Sequence, residues 1–262
     1  MRTILRIAMY GARDLVRSRW LAAYTVFFFL ATLALLRFSD SETKALLSVA
    51  NVVLLIVPLA NVVFGTMYLY ASREFVELLL AQPIRRRELF AGLYLGLVGP
   101  IAAGAAAGLI GGLVLHGASA DALGVGLMLA LVAAALSAVF TAIAAALAFL
   151  IDDRVRGLVA AIGVWLLLAV VYDAGVLVAA SRFAEYPIER PMLAAMAANP
   201  IDLARLVLLT QFDVAALLGY TGALFQGFFG GTAGPIAAGG AVLLWVALPL
   251  LAGARLFQRK DF

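Results

Sequence analysis

The sequence predicts an all-α, polytopic membrane protein: six transmembrane helices with shorter helices at the two membrane surfaces. Three observations predict it. The 262 residues are 65% hydrophobic and only 13% charged, with a mean hydropathy of +1.08. Soluble domains are nearer half apolar and a quarter charged. Six stretches are long and apolar enough to cross a bilayer, which takes about 20 residues. Finally, they are rich in Ala, Leu and Val and lack the polar/apolar alternation of a barrel strand, so helices are the structures that satisfy their backbones in lipid.

The elements follow in chain order, as a single domain over residues 1–262 with no hydrophilic linker. Residues 1–19 form an interfacial helix, with Arg2, Arg6, Arg13 and Arg17 on one stripe and Leu5, Ala12, Leu15 and Val16 on the other. The same residues also suit a plain juxtamembrane anchor. The spans are expected at about 20–36, 47–70, 89–115, 123–151, 158–180 and 235–257. The first is followed by RFSDSETK with no small-x-small cleavage pattern, so it reads as a retained span. The third and fourth are rich in Ala and Gly, which favours close helix approach within the subunit or across a dimer seam. Segment 214–231, apolar but short and glycine-rich, reads as a re-entrant or interfacial helix inside an outer loop, 181–234, with a seventh span or an outer helix covered by a partner as the alternatives.

Charge gives the direction. Fourteen of the nineteen Lys and Arg residues fall in the N-terminus, the second and fourth connections and the C-terminus. The basic excess marks the cytoplasm. Both termini are therefore expected inside, in a multi-pass protein of the cytoplasmic (inner) membrane. The net charge of +4 is accounted for by this topology and membrane lipids, without a nucleic-acid partner.

Composition narrows the chemistry. With no cysteine and one histidine, His116, neither a disulfide framework nor a Cys/His zinc site can form. Met192 and Met196 share the spacing of one helix face, which reads as packing before metal binding. No metal site, catalytic residue or resident cofactor is assigned. The hydrolase motifs H-E-x-x-H and G-x-S-x-G and the phosphate loop G-x-x-x-x-G-K-[ST] are absent.

One connection stands out. VELLLAQPIRRRELF (76–90) places a proline and three arginines between apolar runs. Phe75, Leu78 and Leu79 share a helical face away from Glu74 and Glu77, which predicts a short surface helix from Arg73. Pro83 ends it. The product is a helix–break–helix knuckle over 71–88 that faces the cytoplasm. The arginines by themselves also read as a topology signal.

Two polar features lie further on. Asp173 falls inside the fifth span, where an ionised carboxylate costs about 3 kcal/mol or more. It has no basic partner in another span. It reads either as part of a substrate path or conformational lock, or as a static interhelical bond. In ANPIDLARL, Asn199 suits a helix cap, Pro200 the first position and Asp202 the first turn. Asn199, Pro200, Asp202 and Arg205 make a capped surface helix or a docking platform for an outer partner.

The amphipathic N-terminus, six spans, the knuckle with its PIRRREL core and the ending RLFQRKDF resemble the ABC-2 class of ABC transporter permeases, a type V exporter-like architecture. The resemblance implies a homodimer working with a separate cytosolic ATPase that binds ATP and magnesium. It implies a coupling role for Arg73, Glu74, Phe75, Glu77, Gln82, Pro83, Arg85, Arg86, Arg87 and Glu88. GVWLLLAVVYDAGVLVAA and ANPIDLARL further resemble the permease of the transporter that matures the copper centres of nitrous oxide reductase. That resemblance implies an extracytoplasmic β-helix protein as partner. Copper(I) prefers thiolate and thioether ligands, so such a subunit would transmit force or move another species while partners hold the metal. An ABC-2 exporter of a lipid, peptide or drug, an ion-coupled secondary transporter using Asp173, and a non-transporting scaffold are the rival readings.

Overall fold

The computed structural model describes residues 2–182, 194–209 and 233–260. Helix α1 is Arg2–Val16, α2 Arg19–Phe38, α3 Glu42–Ala71, α4 Arg73–Leu80, α5 Arg86–His116 and α6 Ala120–Leu150. Helix α7, Arg154–Leu166, passes through a π-helical turn at Leu167–Val171 into α8, Tyr172–Arg182. Helix α9 is Pro200–Leu209 and α10 is Ala233–Arg259. Among the described residues, six helices are long and apolar enough to cross a membrane: α2, α3, α5, α6, the continuous α7–α8 and α10. The expected spans are all present, each extended by a few residues.

Local chemistry sets the helix ends. Ser18, Ser41 and Ser119 accept hydrogen bonds from backbone N–H groups three residues on, at the starts of α2, α3 and α6. Asp153 does the same for α7. Gly117, at φ 76°, ends α5 in the left-handed conformation that glycine adopts without a Cβ penalty.

The core lies among α2, α3, α5 and α6, around Phe28, Val53, Leu109, Leu129 and Phe140. Its centre holds a polar clamp. Asn61 donates to Val57 O at 2.8 Å and to Ser137 Oγ at 3.1 Å, and accepts from Thr141 Oγ1 at 2.9 Å. All three side chains are fully buried, and in an apolar bundle such bonds fix which helices meet. A second apolar cluster, with Phe90, Phe149 and Phe257 in mutual ring contact, closes the end that carries α4 and the last turn of α10.

Six of the seven glycines of α5 before its C-cap, all but Gly99, pack against neighbouring elements of the same subunit. A Cβ on Gly108 would stand 2.5 Å from Thr25 O, and one on Gly112 would stand 2.9 Å from Phe29 O. The four-residue spacing of Gly104, Gly108 and Gly112 makes a smooth face against which α2 lies.

Helix α1 also lies on α5, with Leu15 packed on the core. Ile7 and Gly11 turn inward, whereas Leu5 and Val16 are exposed. Ile7 sits where a Gly92 Cβ would be, and the backbone of Ala8 and Gly11 where a Gly96 Cβ would be. Close backbone approach at Gly96 and Gly11, together with the apolar side chain of Ile7, sets the buried stripe.

Segment 214–231, with its re-entrant or interfacial reading, lies outside the described residues, as does Met192. Met196 is half-buried in a turn of helix at 194–197.

Candidate functional sites: a clamped knuckle and a buried carboxylate network

The knuckle folds as a short helix, a break and a restart. Helix α4 ends at Leu80, Pro83 lies in the following bend, and α5 begins at Arg86. Val76 is buried, with Leu79 and Leu80 packed on the adjoining cluster, while Leu78 is 69% exposed. The inward face is thus rotated from the expected Phe75, Leu78 and Leu79. Phe75 stacks on Tyr10 of α1, with ring centroids 5.2 Å apart. The outward stripe reads Glu74, Glu77, Leu78 and Ala81, at three-and-four spacing. Gln82, Pro83, Arg85 and Arg87 are exposed beside it, and Glu88 is half-exposed.

The knuckle's basic residues divide into two kinds. Arg73 donates to Ala148 O, Ile151 O and Asp152 O at 3.0–3.3 Å and lies over the Tyr70 ring at 4.5 Å. Arg86 donates from Nη1 to Gln258 O at 2.9 Å and Lys260 O at 2.8 Å. Each guanidinium therefore meets carbonyls that a helix end leaves without intrahelical donors, where positive charge is favoured. Lys260 Nζ closes the ring, 2.6 Å from Asp152 Oδ1 and 3.3 Å from Phe149 O. This contact holds the Asp152 carboxyl below its ordinary pKa, first through the hydrogen bond and then through the charge of Lys260. Arg87 makes one 3.3 Å bond to the Gln258 side chain. Both ends of the knuckle are tied to one cluster, which joins α6, α7 and α10.

The second site lies deeper. The π turn at Leu167–Val171 interrupts the α7–α8 span, and Asn199 Nδ2 donates to Leu168 O at 2.7 Å. Such turns recur at functional sites. Asn199 Oδ1 accepts from Ile201 N at 3.0 Å, so Asn199 caps α9 while holding the span. Pro200 is the first residue of α9, and Asp202 lies in its first turn. Tyr172 OH donates to Ala195 O at 2.6 Å. Arg205 Nη1 then bridges two carboxylates, 2.9 Å from Asp173 Oδ2 and 2.9 Å from Asp202 Oδ1.

The sequence offers Asp173 no basic mate in another span, and the structure supplies one from outside the spans. Its mate, Arg205, comes from α9 rather than from another span. Helix α9 is not a surface helix: Asn199 and Asp202 are buried, and Ile201, Ala204 and Leu208 join the main core. Burial, and after it the proximity of Asp173, push the Asp202 carboxyl up to about 6, with Arg205 and Asn199 pulling the other way. Among the described residues, the network holds two acids against one guanidinium, and Asp173 Oδ1 is buried without a hydrogen-bond partner.

Sequence reasoning missed three participants: Asp152, Lys260 and the π turn. The turn's segment LLAVV contains neither Gly nor Pro, so it carries no local signal.

No curated protein matches the chain. Residues 72–262 match the family described as ABC-2 family transporter protein. The match begins at the residue before α4 and takes in the knuckle, the clamp and the α8–α9 network. With most of its length covered, and six helices among the described residues long and apolar enough to cross a membrane, the chain belongs to the ABC-2 family, as a membrane-spanning permease subunit of an ABC transporter.

Proposed function

We propose that this subunit converts ATP-driven motion of a separate cytosolic ATPase into movement of its helices, and so into transport or mechanical signalling across the inner membrane. The clamped knuckle carries the reading. A docking element has to present one face to its partner and be fixed by the other. Helix α4 presents Glu74, Glu77 and Leu78 outward, and Arg73 and Arg86 anchor it to the ends of α6 and α10. A push on α4 is thereby delivered to three spans. The partner's groove is expected to be basic at its rim with a small apolar slot for Leu78. That partner binds ATP and magnesium, and two permeases with two ATPases form the working unit. Both termini lie on the ATPase side.

The finer proposal is a role in maturing the copper sites of nitrous oxide reductase. It is supported by the two stretches that carry the resemblance, which meet through Asp173, Asn199, Asp202 and Arg205. A network that pins α9 to a π-interrupted span suits a lock released by motion from below. An outer β-helix partner would sense that release through segment 181–234, since Asn199 and Asp202 face inward. No cluster of metal ligands is required of the permease in this scheme.

Co-purification tests the proposal. Glu74→Lys with Glu77→Lys is expected to abolish retention of the ATPase while leaving a monodisperse permease. Undiminished retention would contradict the docking role. Transport driven by a proton gradient without any ATPase would favour the secondary-transporter reading.

A further inference from the structure

A cavity of about 530 Å³ opens at the knuckle end of the bundle, between the α1–α2 turn, α3, α5 and the start of α7. That volume falls in the range of roughly 300–1,000 Å³ typical of pockets for organic ligands. Its floor is apolar: Val63, Phe64, Met67 and Ile101. Arg17, Arg154 and Asp14 also line it, as does Trp20, which is 72% exposed. Among the described residues, neither guanidinium has a hydrogen-bond or ion-pair partner, and Asp14 has no ion pair. The polar lining therefore carries two positive charges and one negative, above an apolar floor.

We propose that this cavity holds one monoanionic phospholipid as a resident ligand. The phosphate diester takes the two guanidiniums, whose forked donors match phosphate oxygens. An acyl chain occupies the apolar floor, and Trp20 lies where amphipathic aromatic rings favour the headgroup level. The net single positive charge selects one negative charge over a zwitterion. Placement agrees, since α1 is an amphipathic surface helix and the cavity lies where it turns into the first span. The lipid thus ties α1 to the bundle beside the knuckle, whose Phe75 rests on Tyr10 of the same helix. The inference is independent of the transported species and of the ATPase.

Two measurements test it on the full chain purified with its ATPase. In native mass spectrometry after delipidation, the wild type is expected to retain one phosphatidylglycerol in preference to phosphatidylcholine. The Arg17→Gln, Arg154→Gln variant should lose that preference by on the order of tenfold. In nanodiscs, Trp20 is the sole tryptophan of a Trp165→Phe, Trp245→Phe background. Phosphatidylglycerol brominated on its acyl chain is expected to quench it more strongly than brominated phosphatidylcholine. Asp14→Asn should strengthen that quenching. Equal retention of both lipids, an unchanged preference in the double-arginine variant, or a Trp20 shielded from either lipid by a second copy or the ATPase would each overturn the proposal.

Discussion

Arg86 and Gln258 are 172 residues apart in sequence, yet the guanidinium of one donates to the backbone carbonyl of the other at 2.9 Å. The same Nη1 reaches Lys260 O. One side chain at the start of the third span thus closes the C-terminus of the last. Arg86→Ala strips charge-assisted bonds from two terminal carbonyls. A loss of about 1–3 kcal/mol is expected, read as a lower Tm in detergent. Arg85→Ala, at an exposed neighbour, should stay within about 0.5 kcal/mol of wild type. Equal effects at the two positions would remove the clamp from the account.

Among the described residues, Arg205 is the single cation between Asp173 and Asp202. Removing it leaves two acids facing each other, whereas Asp173→Asn leaves Arg205 with Asp202. Arg205→Ala is therefore expected to destabilise more than Asp173→Asn. The combination of Arg205→Gln with Asp173→Asn should recover part of the loss, since neighbours in one network are not additive. Strict additivity in this cycle would show that the two residues are not coupled. A functional lock further requires that Asp173→Asn impair transport or maturation at near-native stability. Full activity would leave the network a structural one.

The raised pKa of Asp202 fixes a pH signature. Its carboxyl titrates near 6 when folded and near the ordinary value of about 4 when unfolded. Between these values the native state binds more protons, so this group's contribution to stability falls as pH rises from about 4 to about 6 and is constant above. The Tm difference between wild type and Asp202→Asn should shrink across that window and then level off. A difference independent of pH would show that Asp202 is not perturbed.

Gly108 reports the α2–α5 contact. Its substitution by Val places a Cβ against Thr25 O and Phe28. Overpacking of this kind costs about 1–3 kcal/mol. Gly99, whose Cβ would meet nothing within 4 Å, should accept Ala with unchanged or higher Tm.

The spans were legible because hydropathy is a local property, and the knuckle because proline and clustered charge are local too. What the sequence concealed is pairing at long range. Arg85, Arg86 and Arg87 are chemically alike in the sequence, and their different fates depend on a helix end 172 residues away. Asp173 looked unmatched because Arg205 lies in a segment assigned to an outer loop, whereas α9 packs into the core.

The central claim is that α4 faces the ATPase. The chain has no cysteine, so Glu77→Cys supplies a single thiol on the outward stripe. A membrane-impermeant maleimide is expected to modify it in inside-out vesicles but not in intact cells, and bound ATPase is expected to block the reaction. Modification from the outside of intact cells, or labelling unchanged by the ATPase, would contradict the account.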